Sequence, residues 1–397
     1  KSTKEVDMQG ISYSSKINNN ENWWIDEPID GEESTNIKIY DLITYPSDFT
    51  VNTIFEKLNN GTISIPPFQR NYVWDKKQAS KLIESLIIGL PVPQMFFFEE
   101  EDKSLIIDGQ QRLLSLFYFM HGRIPKQGKR ASLRKTIIEK GNLNEELLGD
   151  DNYFEDFKLK LINNYELNGL DYETLGKYKE KFKSRPIRIM HIKQLAPNEE
   201  DKESSMFEIF DRLNTGGSNL SDQEIRMNIY YSDFYKMIDE LNIDIKWRKL
   251  LDKEELDLRF KDFEILLRCI AIANDFPNYK SAMKTFLNSY SHRAKFFKKD
   301  EIKKLKNEFE IFINSFEMID NVTDKKYFQI GAIDAMYYVW LENFRKNNII
   351  KITYDIEEII KKDIADFQKT NRSTTSKDSI EKRIEIVKRR LEDEQHN

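Results

Sequence analysis

Residues 104–120 decide the fold and read Ser-Leu-Ile-Ile-Asp-Gly-Gln-Gln-Arg-Leu-Leu-Ser-Leu-Phe-Tyr-Phe-Met. The apolar run at 104–107 predicts a strand, and the spacing of apolar residues from Gln110 to Met120 predicts a helix. Asp108 and Gly109 lie between them, and Gly109 permits the tight backbone turn that joins a strand directly to a helix. We therefore expect a strand, a turn and a helix at the centre of the fold.

The same turn has the features of an anion-binding site. Backbone amides point outward at a helix N-terminus, and the helix dipole favours negative charge there. Arg112 lies in the first turn of the predicted helix, where the dipole disfavours a cation unless an anion such as phosphate offsets it. Asp108 could hold a metal ion or orient Arg112, while Gln110 and Gln111 could position a water molecule or contact a base. The plainer alternative is that Asp108 caps the helix and Arg112 is a solvated surface residue.

Two other polar segments fit the same kind of site. Residues 67–74 read Pro-Phe-Gln-Arg-Asn-Tyr-Val-Trp, and the prolines at its start exclude a helix there. Gln69 and Arg70 are unlike core residues, whereas the aromatic residues of this segment are typical of a core. Residues 214–221 read Asn-Thr-Gly-Gly-Ser-Asn-Leu-Ser. This stretch is either a plain loop before a helix N-cap or a second anion-contacting loop.

In combination these motifs resemble the N-terminal domain of the GmrSD-type proteins. They occur in the order Ile-Pro-Pro-Phe-Gln-Arg-Asn-Tyr-Val-Trp, Ile-Ile-Asp-Gly-Gln-Gln-Arg-Leu-Leu-Ser-Leu and Phe-Glu-Ile-Phe-Asp-Arg-Leu-Asn-Thr-Gly-Gly-Ser-Asn-Leu-Ser. Residues 257–268 are similar to the family's helical segment, so the resemblance covers residues 37–300. It implies a ParB/sulfiredoxin-like fold, with residues 63–119 as its phosphate-binding unit. It also implies nucleotide binding, often with hydrolysis, in prokaryotic systems that restrict foreign or modified DNA.

The resemblance also implies roles for the motif residues. The catalytic group would comprise Asp108, Gln110, Gln111 and Arg112. The nucleotide and phosphate contacts would come from Gln69, Arg70, Gly109, Arg112 and Asn214. The ligand would be a nucleoside triphosphate with Mg²⁺, because phosphate charge normally needs that metal, and Asp108 would be its protein ligand.

One part of the family pattern is missing from this sequence. Many relatives carry a second nuclease domain with a His-Asn-His-type metal site. The four histidines here are far apart and lack the paired spacing of such a site: His121, His191, His292 and His396. We therefore expect no recognisable HNH nuclease in this sequence. A Walker-type phosphate loop is also missing, so a bound nucleotide would use another site.

Composition and charge limit the class of protein. The chain has 397 residues, of which 39% are hydrophobic and 33% charged, and its formal net charge is −6. No apolar run approaches the ~18 residues of a membrane span, and a single cysteine excludes a disulfide framework. We expect a cytoplasmic protein without a membrane segment. Any DNA contact would use local basic patches at 123–135, 177–188 or 293–306, although solvated faces are the commoner explanation of such runs.

The order of predicted elements indicates an α+β protein. Residues 1–36 predict a flexible acidic lead-in, residues 37–221 a ParB/sulfiredoxin-like α/β domain, and residues 222–397 an all-helical domain. Within the second unit we expect strands at 37–40, 94–99 and 186–193, and helices at 47–59, 75–88 and 199–213. The helix at 380–391 could pack on its own domain, mediate self-association or contact a partner nuclease.

Two functions fit these features. The favoured one is a nucleotide-binding, NTP-hydrolysing protein of a prokaryotic anti-phage or restriction-type defence system. The other is a ParB-like DNA-binding or sensing module that acts with a separate nuclease and uses the nucleotide as a switch or not at all. A DNA-cutting role for the first domain is weaker, because the sequence has no convincing cluster of carboxylates for a metal.

Overall fold

The computed structural model describes most of the chain from residue 40 onward. The described ranges are 40–64, 72–100, 103–140, 144–195, 205–206, 208–210, 212–213, 220–280, 282–317, 330–347, 351–370 and 375–395. The predicted lead-in at 1–36 lies outside them, as do Gln69, Arg70 and Asn214.

Seven strands are present in the described ranges. They are β1 (Leu42–Thr50), β2 (Ile63–Ser64), β3 (Met95–Glu99), β4 (Ser104–Asp108), β5 (Arg123–Pro125), β6 (Phe154–Asp156) and β7 (Pro186–Gln194). Five of them form a mixed sheet in the order β1-β7-β3-β4-β2. The pairs β1–β7 and β3–β4 are antiparallel, whereas β3–β7 and β2–β4 are parallel. Strands β5 and β6 form a separate antiparallel pair.

Helices make up most of the remaining regular structure. Those before β7 are α1 (Val51–Asn59), α2 (Lys76–Ile88), α3 (Gln110–Met120), α4 (Arg130–Lys140), α5 (Glu145–Leu148) and α6 (Lys179–Lys183). Those after it are α7 (Asp222–Ile229), α8 (Asp233–Asn242), α9 (Ile245–Leu251), α10 (Lys261–Asp275), α11 (Met283–Ala294), α12 (Lys299–Asn314), α13 (Ile330–Phe344), α14 (Tyr354–Thr370) and α15 (Lys377–Gln395). The mixed α+β class and the helical C-terminal part are therefore as predicted.

The sheet lies between two hydrophobic cores. Side chains alternate across a strand, so neighbouring residues of β3 and β4 face opposite ways. Phe97 and Ile106 pack with α1, α2 and α3 on one face. Phe98 and Leu105 pack with the helices that follow β7 on the other. The helical part thus packs directly on the sheet, and the domain boundary expected at 221/222 stays a prediction.

The first strand differs from the prediction. We expected a strand at 37–40 and a helix from residue 47, but β1 extends to Thr50 and α1 begins at Val51. Residues 37–39 lie outside the described ranges, and the assignment of 47–50 to a helix was wrong. Pairing with β7 along all nine residues of β1 overrides the local helical pattern. The Thr50 side chain then accepts a hydrogen bond from the Thr53 amide and caps α1.

Helix ends agree better with the sequence. Asp75 and Gln78 form a reciprocal capping box at the start of α2, which ends at Gly89 in a left-handed conformation. Ser221 and Glu224 form the predicted capping box of α7. The predicted helix at 199–213 is described only at residues 205–206, 208–210 and 212–213, all of which are helical.

Candidate phosphate-binding site

The turn between β4 and α3 depends on glycine. Gly109 has φ +100° and ψ +9°, a left-handed conformation that costs other residues energy. A Cβ atom at this position would lie 2.7 Å from Cγ of Met95, closer than two carbons can approach. Strand β4 ends at Asp108, one residue later than predicted, and α3 begins at Gln110, as predicted.

Arg112 is buried and forms an ion pair with Asp108. Its Nη2 donates to Oδ2 of Asp108 at 2.7 Å, and its Nη1 donates to the carbonyl oxygen of Pro93 at 2.9 Å. The Arg112 side chain is only 10% exposed, whereas that of Asp108 is 35% exposed. The carboxylate offsets the unfavourable position of a cation near the positive end of the helix dipole. This geometry excludes the alternative in which Asp108 caps the helix and Arg112 is a solvated surface residue.

Gln111 connects α3 to the end of the segment that carries Gln69 and Arg70. Its Oε1 atom accepts hydrogen bonds from the backbone amides of Val73, at 2.9 Å, and Trp74, at 3.2 Å. The side chain is buried, as is that of its neighbour Gln110. One Gln111 oxygen therefore fixes the chain that follows residues 65–71 against the first turn of α3.

Three further residues support this connection. The Tyr72 hydroxyl donates to Oγ of Ser115 at 2.8 Å, and Ser115 Oγ donates to the Gln111 carbonyl at 2.7 Å. Arg130 Nη2 donates to the Trp74 carbonyl at 2.7 Å, and its guanidinium lies 5.1 Å from the centre of the Tyr72 ring. Burial raises the pKa of Tyr72 to about 12, so its hydroxyl remains a donor at neutral pH.

Sequence reasoning found part of this arrangement. It identified residues 108–112, which the structure places together at the start of α3, and it expected core positions for the aromatics near Gln69. It missed Ser115, although the spacing of four residues from Gln111 was a usable signal. It also missed Arg130, because nothing local connects that residue to the segment 56 positions earlier.

Asp108 is the residue of this turn that was predicted to bind a metal. Within the described ranges there is no group of three or more His, Cys, Asp or Glu side chains that could bind an ion. Asp108 supplies one carboxylate. Mg²⁺ is commonly bound by one or two carboxylates together with substrate phosphates and water. The assignment of Asp108 to a metal stays a prediction.

Several cations of the predicted basic patches pair with carboxylates within the fold. In the first patch, Arg123 pairs with Asp151 and Asp156, and Arg134 pairs with the buried Asp239. In the second, cations pair with carboxylates as Lys177–Glu166, Lys179–Glu173 and Arg188–Asp48. In the third, the pairs include Arg293–Asp275 and Lys306–Glu240. Exposed ion pairs of this kind are weak, and DNA binding through these patches stays a prediction.

Across the described ranges, no helix has a stretch that is both long enough and apolar enough to cross a bilayer.

Comparisons with known proteins agree with the motif analysis. Residues 51–231 match the family model described as "GmrSD restriction endonuclease, N-terminal domain". The chain is also similar to the uncharacterized protein MJ0686 of Methanocaldococcus jannaschii, with 24% identity over 269 residues. That match covers 53% of this chain and 44% of the relative, so the chain spans less than half of that protein's length. The range matched by the family model includes the whole turn from β4 to α3, so this part of the chain is similar to the N-terminal domain of the GmrSD restriction endonucleases.

Proposed function

We propose that the chain binds a nucleoside triphosphate at the turn between β4 and α3 and hydrolyses it, in a prokaryotic anti-phage or restriction-type defence system. The observation that carries this proposal is the ion pair between the buried Arg112 and the partly exposed Asp108 at the start of α3, inside the range that matches the GmrSD model. Asp108 offsets the charge of Arg112 beside the helix N-terminus and holds the guanidinium in place, where a phosphate could act as a second anion partner. A ParB/sulfiredoxin-like identity of this domain is part of the same proposal.

Arg112 is assigned to the phosphates. A guanidinium has five N–H groups, and in the described ranges two hydrogen bonds connect it to Asp108 and Pro93. The remaining N–H groups would donate to phosphate oxygens, together with the backbone amides at the start of α3. Gln69, Arg70 and Asn214 are assigned to the same phosphates from the family motifs.

Asp108 is assigned to Mg²⁺. A phosphate beside Arg112 would otherwise face the negative charge of this carboxylate, which is 2.7 Å from the same guanidinium. The metal would supply charge neutralisation between carboxylate and phosphate. The one-third exposure of Asp108 gives it access to a ligand from solvent.

The two glutamines are assigned different tasks. The Oε1 atom of Gln111 accepts hydrogen bonds from the amides of Val73 and Trp74, so Gln111 positions residues 73–74, which follow Arg70 in the chain. Gln110 is assigned to the water molecule that attacks the terminal phosphate, as glutamine does in other nucleotide hydrolases. The proposed chemistry thus depends on Asp108, Gln110 and Arg112, with Gln111 in support.

The test is phosphate release from each of the four nucleoside triphosphates with Mg²⁺. Wild type would be compared with Asp108→Asn, which keeps the size of the side chain but removes its charge. The matched control is Asp48→Asn, because Asp48 pairs with Arg188 on the same sheet but is exposed. We expect turnover by wild type and Asp48→Asn, and a loss of at least about 100-fold in Asp108→Asn.

Two results would reject the proposal. One is no phosphate release by folded wild type with any nucleotide. The other is equal turnover by Asp108→Asn and the control. Nucleotide binding without turnover would instead support the second function, a sensing module that uses the nucleotide as a switch.

A further inference from the structure

The strand register brings three polar side chains to one face of the sheet. Tyr45 of β1 and Phe97 of β3 lie directly opposite His191 of β7, one on each side. Because side chains alternate along a strand, Ser47 and Glu99 each lie two residues further on the same face as His191. Three strands therefore contribute one serine, one histidine and one glutamate to the same place.

The three side chains form a continuous hydrogen-bonded series. Ser47 Oγ is 2.6 Å from Nε2 of His191, and Nδ1 of His191 is 2.5 Å from Oε1 of Glu99. A carboxylate can only accept, so Nδ1 carries the proton toward Glu99. In a neutral ring Nε2 then has the free electron pair, and the Ser47 hydroxyl donates to it. This is the arrangement of nucleophile, base and orienting group that activates a serine.

The surroundings hold the imidazole in place. The Tyr45 ring stacks on His191 with centroids 4.9 Å apart, and the rings of Phe49 and Phe97 meet it edge-on. His191 is 6% exposed, while Ser47 on the outer strand is partly exposed. The base is thus shielded from water, and the hydroxyl can be reached from solvent.

Glu99 is itself fixed by a fourth residue. Ser104 Oγ donates to both carboxylate oxygens, at 3.1 and 3.2 Å. Ser104 and Asp108 are the two ends of β4, so this cluster lies about 13 Å along the strand from the phosphate turn. The two sites therefore use opposite ends of the sheet.

We propose that Ser47, His191 and Glu99 are a second chemical site, in which Ser47 is a nucleophile toward acyl esters. Ser47 Oγ would bond to the carbonyl carbon while its proton passes to Nε2 of His191. The bond to the leaving alkoxide would then break, and the alcohol would take that proton. Water would add to the acyl-serine by the same route, releasing the acid and restoring the Ser47 hydroxyl. This site is independent of the nucleotide function.

The test uses two probes on the full chain. The first is a fluorophosphonate, whose adduct would be located by peptide mass spectrometry. The second is p-nitrophenyl acetate, whose hydrolysis would be followed by colour. The variants are Ser47→Ala and His191→Asn. The matched control is Ser85→Ala, because Ser85 is also partly exposed but donates only to the carbonyl of Lys81, at 2.8 Å.

We expect one adduct per chain at Ser47 in wild type and in Ser85→Ala. Ester turnover should be lost in Ser47→Ala, and the labelling rate should fall by at least about 100-fold in His191→Asn. Circular dichroism would show that each variant is folded. If His191→Asn does not fold, Glu99→Gln replaces it, with a smaller expected loss. Three results would overturn the proposal. Ser47 could stay unlabelled in folded wild type, or ester turnover could persist at the wild-type rate in Ser47→Ala. Labelling could also stay undiminished in His191→Asn or Glu99→Gln.

Discussion

Replacement of Gln111 by leucine should release the segment at 73–74 from α3. The change removes the oxygen that accepts from the Val73 and Trp74 amides, at 2.9 and 3.2 Å, while leucine keeps a side chain of similar size. An unsatisfied buried donor costs about 1–3 kcal/mol. These two amides are only partly buried, so the lower limit applies to each, and the expected loss is about 2 kcal/mol.

The assay is hydrogen exchange at single amides together with urea unfolding. A loss of about 2 kcal/mol corresponds to exchange at Val73 and Trp74 that is about 30-fold faster. Gln110→Leu is the control, because Gln110 is also buried in the first turn of α3, whereas the Val73 and Trp74 amides donate to Gln111. Unchanged exchange in Gln111→Leu, or equal acceleration in Gln110→Leu, would refute the assigned role of Gln111.

Two other predictions concern backbone strain and pH. Gly109→Ala should lower the free energy of unfolding by about 2–4 kcal/mol, since its Cβ atom would lie 2.7 Å from Met95. The control is Gly61→Ala, which is also at positive φ but in open space and should cost only about 1 kcal/mol. Equal losses in urea melts would show that the close approach to Met95 does not matter. Burial raises the pKa of Asp239, which is paired with Arg134 at 2.9 Å, from 3.8 to about 6. The stabilising effect of protonated Asp239 is thus complete below about pH 4 and is lost as the pH rises through 6. The free energy of unfolding of wild type should therefore fall by up to about 3 kcal/mol relative to that of Asp239→Asn between pH 4 and 7. A constant difference between the two proteins in urea melts would contradict this assignment.

Local features of the fold were predictable from the sequence. The tight turn at Gly109 follows from an apolar strand pattern that meets a helical one, and the capping boxes follow from residue types at fixed spacing. These features depend on interactions within a few residues. The same holds for the long apolar helices after β7, whose extent sequence periodicity predicts well.

Features that depend on distant pairing were not predictable. Strand β1 contains Pro46, which a single-sequence reading counts against a strand, yet it pairs with β7 about 140 residues later. Pro46 is tolerated because β1 is the edge strand of the described sheet. Ser47 and His191 are likewise brought together only by this register, and 144 positions separate them.

The role of individual site residues was partly predictable. The sequence showed that an arginine in the first turn of α3 needs a compensating negative charge, and Asp108 provides one. It could not show that the oxygen of Gln111 holds a different segment, because that contact spans 37 or 38 positions. The sequence therefore predicted the turn itself, and the chemistry assigned to it stays a prediction, whereas the contact made by Gln111 became visible only in the structure.

The most direct test of the phosphate site is hydrogen exchange of the full chain with and without Mg²⁺ and a nucleoside triphosphate. We predict slower exchange of the amides at 109–112 when the nucleotide is present, with no change in the strand around Arg188. Protection that appears elsewhere while 109–112 exchange as before would contradict the placement of the nucleotide at this turn.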